Sequence, residues 1–112
     1  MTARHDPPAG DRSASATTVV LADAHTMVRA GLRLLVEGLG DYRVVGESGD
    51  GQDLLAVISR HRPRIAIAEI ELPVVNGLDA LGQVRRHYPE VSFLLLVGRI
   101  EPSQVRAAMK QG

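Results

Sequence analysis

The sequence predicts an α/β fold in which a parallel sheet carries helices on both faces. Three observations lead there. Short, β-branched apolar segments alternate with segments of helical periodicity, in the order βαβαβαβα. The linkers between them are short. The apolar segments are also nearly continuous, as strands covered on both faces are.

The first strand is Thr18 to Ala22, ending at polar Asp23. Val28, Leu32, Leu35, Val36 and Leu39 then fall at helical spacing, with Arg29, Arg33 and Glu37 on the other side. The glycines at Gly38 and Gly40 stop that helix. Tyr42 to Ser48 is the second strand. Asp50 caps a helix whose apolar face is Leu54, Leu55 and Ile58, and His61 to Pro63 end it. Ile65 to Ile70 is the third strand, apolar except for Glu69 near its end. Asn76 caps a helix carrying Leu78, Leu81, Val84 and Tyr88, and Pro89 closes it. Val91 to Val97 is the fourth strand. Pro102 opens a last helix with Val105, Ala108 and Met109, and Gly112 suits its end.

Composition narrows the function classes. Thirteen Lys and Arg balance thirteen Asp and Glu, so net charge draws in neither nucleic acid nor an anionic membrane. The absence of cysteine excludes disulfides, thiol catalysis and thiolate metal sites. Tyr42, Tyr88 and Phe93 are too few aromatics for a single-stranded nucleic-acid platform. No apolar run spans a bilayer and no signal peptide opens the chain, so a cytoplasmic location is expected. Residues 1–17, rich in Pro, Gly, Ser and charge, read as a disordered leader. Residues 18–112 form the globular part.

Open parallel sheets bind ligands beyond the carboxyl ends of their strands. Asp23, Glu69 and Glu71 stand there, as does Val97 at the end of the fourth strand. If the first and third strands are neighbours, Asp23 and Glu69 converge on one crevice. Such a pair either holds a hard divalent cation or consists of two solvated strand-end acids.

The stretch from Val20 to Leu32 (VLADAHTMVRAGL) resembles the first strand and helix of bacterial response regulator receiver domains, and is most similar to the NarL/FixJ class with its LuxR-type helix-turn-helix. Tyr42 to Glu47, Asp50-Gly51, Arg62 to Ala68, Leu72-Pro73, Asn76-Gly77-Leu78 and Val105 to Gly112 continue the likeness in order. It implies a three-layer, flavodoxin-like (CheY-like) fold with sheet order 2-1-3-4(-5). The fifth strand and its helix are missing from the pattern, as is any DNA-binding helix-turn-helix. It also implies aspartyl phosphorylation assisted by Mg²⁺ and read out by a hydroxyl and a lysine.

The sequence departs from that pattern at each of these positions. Of two adjacent acids after the first strand, one is matched by Asp23 and the other by Ala24. The phosphoacceptor aspartate is matched by Glu69, one methylene longer and so misplaced for attack. The hydroxyl residue is matched by Val97, which cannot hydrogen-bond a phosphoryl oxygen. The lysine has no counterpart, and the metal-binding carbonyl falls to Glu71. The resemblance therefore implies an atypical receiver that has lost phosphorylation. Glu69 either stands in for the phosphoryl charge or lines an inert pocket, and the missing hydroxyl and lysine favour the second. No cofactor is expected, Mg²⁺ at Asp23 and Glu69 being the one candidate.

The remaining motifs carry blander readings. His25 is expected to be a solvent-facing or satisfied loop histidine. The basic groups at Arg60 to Arg64 and Arg85 to His87 read as solvated helix ends. Gly46, Gly49 and Gly51 read as a turn rather than a phosphate loop, and Met27 and Met109 are expected to pack. The leading function is a signalling module in transcription regulation, working through protein–protein contacts and reaching DNA only through a C-terminal domain absent here. The alternative is a small-molecule sensor using the strand-end crevice. A flavin carrier or enzyme on the same sheet is disfavoured by the missing phosphate loop. With no fifth strand, Phe93 to Val97 forms an apolar edge, so self-association is expected.

Overall fold

The computed structural model describes residues 16–97 and Lys110. In chain order the elements are β1 (Thr17–Ala22), α1 (Thr26–Gly38), β2 (Tyr42–Ser48), α2 (Gly51–His61), β3 (Ile65–Glu69), α3 (Gly77–His87) and β4 (Ser92–Leu96). All strands are parallel, in the order β2-β1-β3-β4. This is the α/β, CheY-like arrangement anticipated above. Among the described residues β4 is an edge.

Period-two alternation splits the buried residues between two layers. Val20, Ala22, Ala66 and Ala68 face α2 and α3, and join Leu54, Ile58, Ala80, Val84 and Val91 in the larger core. The alanines of β3 have no bulk beyond Cβ, so both helices approach the sheet closely. Val19, Leu21 and Val44 face α1 with Leu32, Val36, Tyr42, Ile65 and Ile67, a thinner layer. Val57 and Ala80 are buried members of α2 and α3 that helical periodicity had not singled out.

Several boundaries shift by a residue. β1 starts at Thr17, whose N–H donates to Asp41 O at 2.9 Å and whose backbone pairs with Tyr42. Thr17 is therefore part of the sheet and not of the leader. β3 ends at Glu69, and β4 is shorter by a residue at each end. The caps are as expected: Asp50 accepts from Asp53 N at 2.7 Å, and Asn76 from Asp79 N at 2.8 Å. Gly46 is not in a turn but inside β2, where a Cβ would lie 2.6 Å from Val57 Cγ1. β2 also carries a bulge: Val19 pairs with Val44 but Val20 with Gly46, leaving Val45 extra.

α1 departs most from expectation. Met27, expected to pack, is 87% exposed, and Val28, Leu35 and Leu39 of the expected apolar face are exposed as well. Only Leu32 and Val36 reach the sheet layer. The cause is geometric. A helix lying on a sheet buries only the stripe that touches it, and among the described residues no element packs against the outer flank of α1.

Residues 1–15 of the leader, and Val105, Ala108 and Met109 of the last expected helix, lie outside the described residues. Lys110 is helical and exposed. No helix among the described residues is long and apolar enough to cross a membrane.

Candidate functional site

The register that pairs Ala22 with Ala68 carries β1 and β3 to the same height. One residue further on stand Asp23 and Glu69, so two acids from distant parts of the chain meet at the carboxyl end of the sheet. Asp23 is buried and Glu69 half-buried. The convergence expected from the sequence is therefore present.

Local hydrogen bonds fix Asp23. Its N–H donates to Ser48 O at 3.0 Å, continuing the β1–β2 ladder past the last strand residue. Its carboxylate Oδ1 accepts from His25 N at 2.8 Å and lies 3.2 Å from His25 Nδ1. An aspartate whose side chain accepts from the backbone two residues on forms an Asx turn, which aims the His25 ring back at the acid. His25 keeps 71% of its side chain in solvent. It is thus the solvent-facing loop histidine anticipated, but with one ring nitrogen on Asp23. Sequence reasoning had not assigned that contact.

Glu69 sits in a less favourable environment. Burial pushes its carboxyl above the ordinary carboxylate range, and the neighbouring Asp23 charge adds to the rise. A backbone hydrogen bond from Ala24 and the His25 charge oppose it. One oxygen, Oε2, is out of solvent contact and accepts no hydrogen bond among the described residues. The Asp23 carboxylate lies within 4.8 Å, and two ionised carboxylates cannot satisfy one another.

α1 and the loop after β3 hold the site from two sides. Arg29 Nη1 donates to Asp23 O at 2.6 Å, and Arg29 Nε to Glu47 Oε1 at 3.0 Å. The first turn of α3 presses on the backbone of Glu69 itself. A Cβ at Gly77 would lie 2.5 Å from Glu69 O and 2.8 Å from Ile70 Cα, so only glycine lets helix and strand come this close. Gly77 N–H also donates to Ile70 O at 2.8 Å.

The other expected positions stand around this centre. Ala24 is exposed and offers no side-chain ligand. Glu71 is exposed and outside the Asp23–His25–Glu69 group. Val97 follows β4, where Glu69 pairs with Leu96, and is 39% exposed. Its side chain carries no group that could hydrogen-bond. The basic residues Arg60, Arg62, Arg64, Arg85 and Arg86 are exposed, as solvated helix ends are.

Comparison with known proteins agrees with the sheet order. The response regulator receiver domain family matches residues 19–112. The signal receiver domain of NarL from Mycobacterium tuberculosis superimposes with a TM-score of 0.83 at 31% identity, covering 88% of this chain and 79% of that one. The transcriptional regulatory protein YhcZ of Bacillus subtilis is 29% identical over 94 residues, covering 84% of this chain and 44% of its own length. The response regulator VraR of Staphylococcus aureus is 28% identical, covering 84% of this chain and 45% of its own. The chain thus spans less than half the length of these curated relatives. A family match over nearly the whole of the described fold leaves one conclusion: this chain belongs to the response regulator receiver domain family, with the LuxR-type regulators as relatives.

Proposed function

We propose that this receiver signals without being phosphorylated. The observation that carries the reading is the state of Glu69, the residue at the phosphoacceptor position. Its carboxylate has one oxygen out of solvent and is held toward the protonated form by burial and by Asp23. Its extra methylene also carries the carboxylate away from the place an aspartate's would occupy for attack. Around it Ala24 supplies no second acid, and Val97 supplies no hydroxyl to hold a phosphoryl oxygen. The pocket is therefore inert toward phosphoryl transfer rather than a mimic of the phosphorylated state.

The module then acts as an adaptor and not as an enzyme, passing on a signal by contact with other protein surfaces. In the relatives named as transcriptional regulators the matched region is under half of the protein. For this chain we propose the same division of labour, with any DNA contact made by another domain and the whole acting in the cytoplasm. Incubation with acetyl phosphate and Mg²⁺, followed by intact-mass measurement, is the test. The expected result is an unmodified mass. A phosphate adduct mapped to Glu69 overturns the proposal.

A further inference from the structure

Mg²⁺, the ion that the receiver pattern implies, asks for an all-oxygen, near-octahedral set of donors and gives up its waters reluctantly. The residues at this strand end offer something else. Ala24 replaces one carboxylate, and the third donor within reach of Asp23 and Glu69 is a ring nitrogen of His25. One ligand atom from each of Asp23, His25 and Glu69 lies within 4.8 Å of the other two. The fit to Mg²⁺ is poor, and the disagreement is informative.

We infer that Asp23, His25 and Glu69 form a binding site for a borderline first-row divalent cation, Zn²⁺ above all, in place of Mg²⁺. Imidazole nitrogen is a preferred ligand of Zn²⁺, whereas Mg²⁺ takes oxygen. Bonds of about 2.0–2.2 Å in a tetrahedron put the ligand atoms roughly 3.3–3.6 Å apart. Asp23 Oδ1 and His25 Nδ1, at 3.2 Å, already have nearly that spacing. Glu69 closes the third side by rotation about its side-chain bonds. The extra methylene that spoils it as a phosphoacceptor gives it the reach.

Two further features suit a cation at this place. Among the described residues Glu69 Oε2 is buried without a hydrogen-bond donor, a costly state for an acceptor that a metal ion would relieve. The Asx turn at Asp23 brings the His25 backbone against its carboxylate and the ring nitrogen to 3.2 Å, so two of the three donors are already adjacent. The exposure of His25 leaves an entry path from solvent, and a fourth position for water. Both readings use Glu69 but they fail separately, since the phosphorylation-free reading is judged by the mass of the chain after a phosphodonor and this one by metal binding.

The test is calorimetric titration of the chelator-treated chain with ZnCl₂ and separately with MgCl₂, backed by Co²⁺ substitution. One Zn²⁺ per chain is expected, with Mg²⁺ at least roughly tenfold weaker. Bound Co²⁺ should show visible absorption from a nitrogen-containing site of low coordination number. His25→Asn and Glu69→Gln should each weaken Zn²⁺ binding at least roughly tenfold, while His61→Asn and His87→Asn leave it unchanged. His25 is exposed, so its variant folds, and circular dichroism verifies this. Absence of Zn²⁺ binding, binding that survives His25→Asn, or Mg²⁺ binding as tightly as Zn²⁺ would each overturn the inference.

Discussion

Val74→Gly should make this protein more stable, against the usual direction for a glycine substitution. Val74 sits in the loop between Glu69 and α3 with φ of 69°. The Val75 N–H donates to Pro73 O at 2.8 Å, the three-residue bond of a γ-turn. An L-residue in this left-handed region costs roughly 1–2 kcal/mol, and a β-branched residue is a true outlier there. Glycine removes that cost but gives back about 0.5–1 kcal/mol in chain entropy. The side chain is 73% exposed, so its removal sacrifices little burial. The balance is a gain of about 0.8 kcal/mol, the middle of a span from about 0 to 1.5 kcal/mol. With a urea slope near ~1 kcal/mol/M for a domain of this size, the midpoint rises by about 0.8 M. Val74→Ala keeps the Cβ and should recover less than half of that. Urea denaturation followed by far-ultraviolet circular dichroism gives the answer. A glycine variant no more stable than the parent, or an alanine variant that gains as much, would refute the argument from backbone strain.

Two further outcomes follow from the packing of α1 and β4. Arg29→Ala should cost about 1–2 kcal/mol, because a half-buried guanidinium tying Asp23 O to Glu47 is lost; Arg33→Ala, with its side chain 47% exposed, should cost under about 0.5 kcal/mol by the same denaturation assay. Leu94→Lys places a charge on the β4 edge, where Leu94 is 53% exposed. Light scattering of the parent should show mass rising with concentration and the variant a smaller rise, and a parent that stays monomeric throughout contradicts the expectation.

Much of the fold was legible because its signals are local. The Asp50 and Asn76 caps, the Gly38–Gly40 stop and the apolar strands each depend on a few neighbouring residues, and all appear where expected. The meeting of Asp23 and Glu69 was legible too, since acids ending adjacent parallel strands share one end of the sheet. What failed was the environment of α1. Periodicity states which side chains share a face, not what covers that face, so Met27 and Leu35 read as packed and stand in solvent. The His25 contact was missed for a different reason. It depends on the Asx turn that rotates the ring toward Asp23, and a two-residue spacing does not report a dihedral angle. Val74 gave no signal, because a hydrophobic β-branched residue is the last type expected at positive φ.

The single extra residue in β2 works like a half-twist in a ribbon. Val44 faces α1 and Val45 faces α2 and α3, as alternation requires. After the bulge the count restarts. Gly46 faces Val57 on the α2 side, and Glu47 is turned over to meet Arg29 and Arg33 of α1. In an uninterrupted strand Glu47 would point into the apolar layer under α2, and α1 would lose its main polar tether. One inserted residue thus moves a charge from the wrong side of the sheet to the right one. The helix that buries the least apolar surface is held to the sheet by that inversion of facing.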